Sequence, residues 1–134
     1  MSVMSFFDDV LSSVYNCWLR YFDFEGRSSR SEYWHWQLFR ILIFFSFYYL
    51  ESVTFFGLNF VLGTILLIPE VAVSIRRLHD TNKSGWWILL NFSIFFPLIS
   101  PTLLLFSLIG ISTLIYFYCL QGDNRTNDYG NQKS

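Results

Sequence analysis

His79 stands beside Asp80, and Arg76-Arg77 lie just before them in the stretch Arg76-Arg77-Leu78-His79-Asp80-Thr81-Asn82-Lys83-Ser84-Gly85-Trp86-Trp87. A carboxylate that orients an imidazole makes a general base or a metal ligand. Paired guanidiniums near helix starts suit a phosphate or a lipid headgroup. The other histidine, His35, lies close to Glu32, so two His and two carboxylates could in principle hold zinc. Their spacing is not a diagnostic ligand pattern, and no Ser or Cys stands beside His79 as a nucleophile. The expectation is a hydrogen-bonded structural histidine, with no catalytic residue, metal or cofactor assigned. Cys17 and Cys119 form neither a CxxC nor a framework pattern and read as buried or interfacial thiols.

The elements that must position these residues are membrane elements. The island Arg76–Trp87 is the only strongly polar stretch inside an apolar run from about Tyr33 to Leu120. With 53% hydrophobic, 22% aromatic and 14% charged residues, a chain of 134 residues is too apolar for a soluble domain of that size. A net charge of −1 excludes a nucleic-acid footprint. Met1 to Phe7 has no basic region and is followed by Asp8-Asp9, so no secretory signal peptide is expected.

Length and hydropathy predict one all-α membrane domain, a four-helix transmembrane bundle with spans at 33–50, 53–75, 86–99 and 102–120. Pro69 should kink the second span near its end. From Trp86 to Leu120 there is no charge, and a single helix there would be about 50 Å long. It must therefore turn, at Pro97, Ser100 and Pro101; the third segment is marginal in length, with a re-entrant hairpin as the rival. Before the spans, residues 5–21 read as an amphipathic helix lying in the membrane surface, with Phe7, Val10, Leu11, Val14, Trp18 and Tyr21 on one face and Ser5 with Asp8 as a capping box. Trp34 and Trp36, like Trp86-Trp87, suit a bilayer interface. Residues 121–134 read as a polar, turn-rich cytoplasmic tail.

Eight of the nine basic residues fall before the first span, between the second and third, or after the fourth. The positive-inside rule then places both termini and the island in the cytoplasm. Arg27, Arg30, Glu32, Arg76, Arg77, His79, Asp80 and Arg125, with Asp123 and Asp128, can converge there as a charged collar. One reading of the collar is an anion-binding surface; the other is self-satisfied pairs such as Arg30 with Asp80 or Arg76 with Glu32 that fasten loops and tail. Arg40 and Glu70 lie inside the first two spans at similar depth, roughly 10 Å from the cytoplasmic end. An unpaired charge in lipid costs at least about 3 kcal/mol, so the two are expected to pair. Asn59 and Asn91 suit interhelical hydrogen bonds, and Gly57, Gly63 and Gly110 with Ser107 suit close helix contact.

Three blocks carry a resemblance: Tyr21 to Trp34, with Gly26-Arg27 and Glu32-Tyr33-Trp34; Pro69 to Trp87, with Arg76-Arg77-Leu78-His79-Asp80-Thr81 and Gly85-Trp86-Trp87; and Gly122, Asn127 and Tyr129-Gly130 in the tail. In that order they resemble the domain-of-unknown-function 805 family of small bacterial inner-membrane proteins. The resemblance implies an integral inner-membrane protein of about four helices and implies no activity. Arg40, Glu70 and the long N-terminal helix depart from the family pattern, which leaves any role for them particular to this chain.

The expected function is therefore a non-enzymatic inner-membrane component that binds a partner protein or anionic lipid through the collar, in the lipid bilayer and as a homo-oligomer or beside a partner membrane protein. A small oligomeric channel or transporter using Arg40 and Glu70, and a membrane enzyme on a lipid-linked substrate using His79 and Asp80, are the alternatives.

Overall fold

The computed structural model describes residues 3–51 and 57–131. They form helices α1 (Val3–Leu19), α2 (Arg30–Glu51) and α3 (Leu58–Asp80), a 3-10 helix over Gly85–Phe95, the short α4 (Phe96–Ile99), a 3-10 turn at Pro101–Leu103, and α5 (Leu104–Cys119). The chain groups into two compact units, Met1–Phe24 with Ser31–Val73 and Glu25–Arg30 with Ser74–Ser134.

In the first unit α1 packs on α2. Trp18 meets Trp36 edge-on at 6.2 Å between ring centroids, and Phe6 meets the ring of His35 at 5.8 Å. The Ser13 hydroxyl donates to the Asp9 carbonyl, so its contact with His35 Nδ1 at 2.9 Å has the imidazole as donor. α1 already begins at Val3, which puts Ser5 inside the helix and removes the expected capping box.

Pro69 lies inside the continuous α3 and is fully buried. Proline has no N–H, so the carbonyl four residues earlier, at Ile65, loses its helical donor. The Tyr21 hydroxyl donates to that same carbonyl. A proline break inside an apolar helix is thus repaired by a side chain from outside it, as a backbone group in lipid requires.

In the second unit the 3-10 helix packs on α5, and its conformation explains the fit. Three residues per turn put Trp87, Leu90 and Ser93 in one row. Trp87 meets the Phe117 ring at 5.3 Å, and a Cβ placed on Gly110 would lie 2.7 Å from Ser93 Oγ and 3.6 Å from the Leu90 carbonyl. Further along, the Ser107 hydroxyl donates to the Ser93 carbonyl. Gly110 is the close approach that lets the two helices meet, as its small size suggests. The Ser84 hydroxyl accepts from Trp86 N–H at 3.4 Å and starts the 3-10 helix.

Several expectations change. The segment expected as the third transmembrane α-helix, 86–99, is mostly 3-10 helix, and among the described residues Pro101–Cys119 alone is both long and apolar enough to cross a membrane. Helix α3, expected as the second span, extends to Asp80 and so contains the first five residues of the polar island. The expected turn at Glu51-Ser52 and the role given to Asn59 lie outside what is described.

Beside a buried apolar core, much large apolar surface is left exposed while several charged side chains are buried. Phe60 is 80% and Leu98 82% exposed, while Arg27, Arg76 and Arg77 are 2%, 0% and 0% exposed. Water would reverse that order, and a hydrocarbon solvent produces it.

Candidate functional site: an arginine-sealed helix end

The end of α3 is built by local rules. Asn82 takes a left-handed backbone, φ 54°. Lys83 N–H then donates to the Leu78 carbonyl at 2.9 Å and Asn82 N–H to the His79 carbonyl at 3.0 Å, the two bonds of a Schellman motif. Arg77 and His79 stand in the last turn, where the helix dipole favours positive charge.

The loop before α2 is fastened here by a reciprocal pair. Ser28 N–H donates to the Arg76 carbonyl at 3.1 Å, and Arg76 Nε donates to Ser28 Oγ at 3.0 Å. Gly26, with φ 75°, supplies the left-handed turn that delivers Arg27 inward.

Arg27 is the hub. Its Nε donates to Asp80 Oδ1 at 2.9 Å. Nη1 donates to the carbonyls of Arg125 (2.8 Å) and Gly130 (3.3 Å), and Nη2 to those of Asp80 (3.3 Å) and Asp123. Arg77 takes the other half of the carboxylate, Nη1 to Asp80 Oδ2. Its Nε and Nη2 donate to the carbonyls of Tyr118 and Leu120, which the end of α5 leaves without helical donors. Two buried cations therefore sit on two helix C-termini with one shared carboxylate between them. Burial lowers the Arg77 pKa below its usual value, opposed mainly by the attraction of Asp80 and assisted by repulsion from Arg30.

The tail closes the arrangement. Asp123 N–H donates to the Asp80 carbonyl at 2.9 Å, and Asn127 Nδ2 donates to that of His79 at 2.8 Å. Asn127 and Gly130 pair in a tight turn, in which Tyr129 N–H donates to Asn127 Oδ1 at 3.0 Å. Tyr129 lies flat on His79, 3.8 Å between centroids. His79 Nδ1 is 3.2 Å from the Gly26 carbonyl, which can only accept, so the proton is on Nδ1. Burial lowers the His79 pKa below 6.5, and the Gly26 bond partly opposes this. At Gly122 a Cβ would collide with the Asp80 carboxylate, so only glycine lets the tail pass.

Of the residues expected in the collar, Arg27, Arg76, Arg77 and Asp80 are brought together and buried, and His79 joins them half-buried. Asp80 is held by Arg27 and Arg77, and not by Arg30 as one expected pair had it. Arg30 and Arg125 are exposed, and Arg125 contributes only its carbonyl. Glu32 falls in the other unit, where Cys17 Sγ points at its Oε1 at 4.0 Å. The expected neighbours His79 and Asp80 diverge, the imidazole to Gly26 and Tyr129 and the carboxylate to the guanidiniums, so they form no base–orienter pair. Among the described residues no group of three or more His, Cys, Asp or Glu is placed to hold a metal ion.

In the first unit Arg40 Nε lies 3.3 Å from Glu70 Oε2. Trp36 Nε1 (3.0 Å) and Gln37 Nε2 (2.8 Å) also donate to Glu70, and Arg40 Nη2 donates to Gln37 Oε1 at 2.6 Å. Trp36 and Gln37 are partners the sequence reading did not assign. Their position, one helical turn before Arg40 on the same helix, was the available signal.

The blocks that meet at this helix end are the ones that carry the sequence resemblance. A family model described as protein of unknown function (DUF805) matches residues 21–131. The chain belongs to the DUF805 family. Among DUF805 relatives, the inner membrane protein YhaI of Escherichia coli K12 is 33% identical over 116 residues, covering 83% of this chain and 86% of its own. The inner membrane protein YhaH of the same strain is 32% identical over 117 residues, covering 82% and 86%. No solved structure matches. Kinship with inner-membrane proteins and the exposed apolar surface agree on a bacterial inner-membrane protein.

Proposed function

We propose that this DUF805 protein is a non-enzymatic, multi-pass inner-membrane component whose cytoplasmic rim binds an anionic lipid headgroup or an acidic face of a partner protein. Four apolar segments cross the bilayer in this reading, with both termini and the sealed helix end in the cytoplasm. The third becomes long enough because a 3-10 helix rises about 2 Å per residue, so Gly85–Phe95 spans about 22 Å and α4 about 6 Å more, close to a hydrocarbon core of about 30 Å.

One observation carries the binding assignment: the described residues of the second unit hold six basic side chains (Arg27, Arg30, Arg76, Arg77, Lys83 and Arg125) against four acidic ones (Glu25, Asp80, Asp123 and Asp128). The inner guanidiniums of Arg27 and Arg77 are committed to the chain's own acceptors, so the attraction is felt at the rim, at Arg30 and Arg125. Lys83 lies 5.5 Å over the Phe117 ring beside the tryptophans. A bilayer interface presents anionic phosphates at that level. A transport path through Glu70 has less support, because Glu70 already accepts from Trp36 and Gln37 and pairs with Arg40.

Native mass spectrometry of the particle extracted in nanodiscs tests the reading, comparing wild type with an Arg30→Gln, Arg125→Gln double variant. Retained phosphatidylglycerol or cardiolipin, or a retained protein, should be lost from the variant. Equal retention by a variant with unchanged thermal stability would overturn it. Thiol labelling of Thr126→Cys from outside intact cells should fail if the tail is cytoplasmic.

A further inference from the structure

Helix α1 lies ahead of the stretch shared with the family, and it presents three faces where an amphipathic helix has two. At about 100° per residue each covers roughly a third of the circumference. Val14 and Cys17 are buried against the unit, and Ser13 and Phe6 reach His35. Asp9, Ser12 and Asn16 make an exposed polar face, and Asp8, also exposed, stands at its border with the third. Met4, Phe7, Leu11, Tyr15 and Leu19 make the third, each 59–78% exposed. The expected single apolar face, containing both Phe7 and Val14, is divided between core and exterior.

Five large apolar side chains in one line need a cover. A second copy of α1 is a poor one. A two-stranded seam needs positions 4, 7, 11, 14 and 18 outward, and Val14 is turned in at 8% exposure. Paired copies would also bring Asp8 beside its own kind at the flank of the seam, with no basic residue on α1 to offset it. Lipid fits better. The bare face and the polar face adjoin, so a helix lying flat can bury one and wet the other. Tyr15 and Trp18 have the amphiphilic rings that favour the headgroup level.

We infer that the Met4–Phe7–Leu11–Tyr15–Leu19 face of α1 is embedded in the bilayer surface beside α2, anchored by apolar burial and not by charge, so that net-neutral phospholipid suffices. This rests on the membrane reading of the family, and it adds a lipid contact separate from the basic rim. Two carboxylates and no base make anionic lipid unnecessary for this helix.

Single cysteines for spin labels in a Cys119→Ser background of the full chain test it, with Cys17 left buried. The protein is reconstituted in phosphatidylcholine vesicles and in equal parts phosphatidylcholine and phosphatidylglycerol, and accessibility to oxygen and to a water-soluble nickel complex is measured. Phe7→Cys, Leu11→Cys and Tyr15→Cys should favour oxygen, while Asp9→Cys, Ser12→Cys and Asn16→Cys favour nickel, with a several-fold ratio between the faces that is equal in both lipids and at high salt. Nickel access at 11 and 15, label–label broadening at 11 from a second copy, or protection only with phosphatidylglycerol would each overturn it. Leu108→Cys on α5 separates the two readings: nickel access there sinks the membrane reading, whereas oxygen access there with nickel access at 11 and 15 sinks only the α1 assignment. If Leu11→Cys does not accumulate, Tyr15→Cys reads the same face.

Discussion

Replacing Tyr21 by Phe removes one oxygen and leaves the Ile65 carbonyl without the donor that Pro69 makes necessary. An unsatisfied polar group away from water costs about 1–3 kcal/mol, and the rest of the ring keeps its packing against Trp18 at 5.5 Å. Tyr21→Phe should therefore destabilise the first unit by about 1–3 kcal/mol. The dependence on Pro69 is the sharper point. Pro69→Ala restores a backbone N–H at the position that bonds the Ile65 carbonyl, so in that background the tyrosine hydroxyl has little left to do. The double-mutant cycle should show a coupling of about 1–2 kcal/mol, with Tyr21→Phe near neutral once Pro69 is gone. Reversible unfolding in mixed micelles, followed by circular dichroism, measures all four corners. Equal cost of Tyr21→Phe with and without the proline would refute the repair, and the hydroxyl would then have to be worth something elsewhere.

Gly122→Ala should free the tail, because the added methyl meets the Asp80 carboxylate; proteolysis within residues 122–131 should rise while α5 stays protected. Opening this ion pair by removing one partner costs about 3–5 kcal/mol where the charge stays buried, so Arg27→Ala should release the tail further than Gly122→Ala in the same assay. The His79 pKa is lowered in the fold, so between that value and 6.5 the unfolded or undocked state binds more protons, and stability rises with pH across the window. Tail protection measured by hydrogen exchange should weaken as pH falls below about 6.5, and His79→Gln should flatten that dependence.

The helical segments and the polar island were legible because hydrophobic runs and charge placement act locally. Arg76-Arg77-Leu78-His79-Asp80 announced a site but not its form. The arginines bind mainly main-chain carbonyls of residues 118–130, and a carbonyl has no residue type to read. Pairing charges by sign suggested Arg30 for Asp80, whereas geometry gave that carboxylate to Arg27, the side chain that Gly26 turns inward. The 3-10 form of Gly85–Phe95 escaped because its rows of three appear only against α5, where Gly110 and Phe117 set the spacing. Division of the α1 surface into three was hidden for a related reason: Val14 and Phe7 are alike in hydropathy, and only packing on α2 assigns one to the core.

The reach of Arg27 gives the protein an order of completion. Its tail acceptors, the carbonyls of Asp123, Arg125 and Gly130, lie 96, 98 and 103 residues later in the chain. While the chain is being made, the helices can form with the guanidinium still lacking these partners. Only when residue 130 has emerged can the last carbonyl be engaged. A chain broken off before that point would leave Arg27 with Asp80 alone and the carbonyls of His79 and Asp80 without the Asn127 and Asp123 donors, so the tail is what completes the shell around the buried guanidinium.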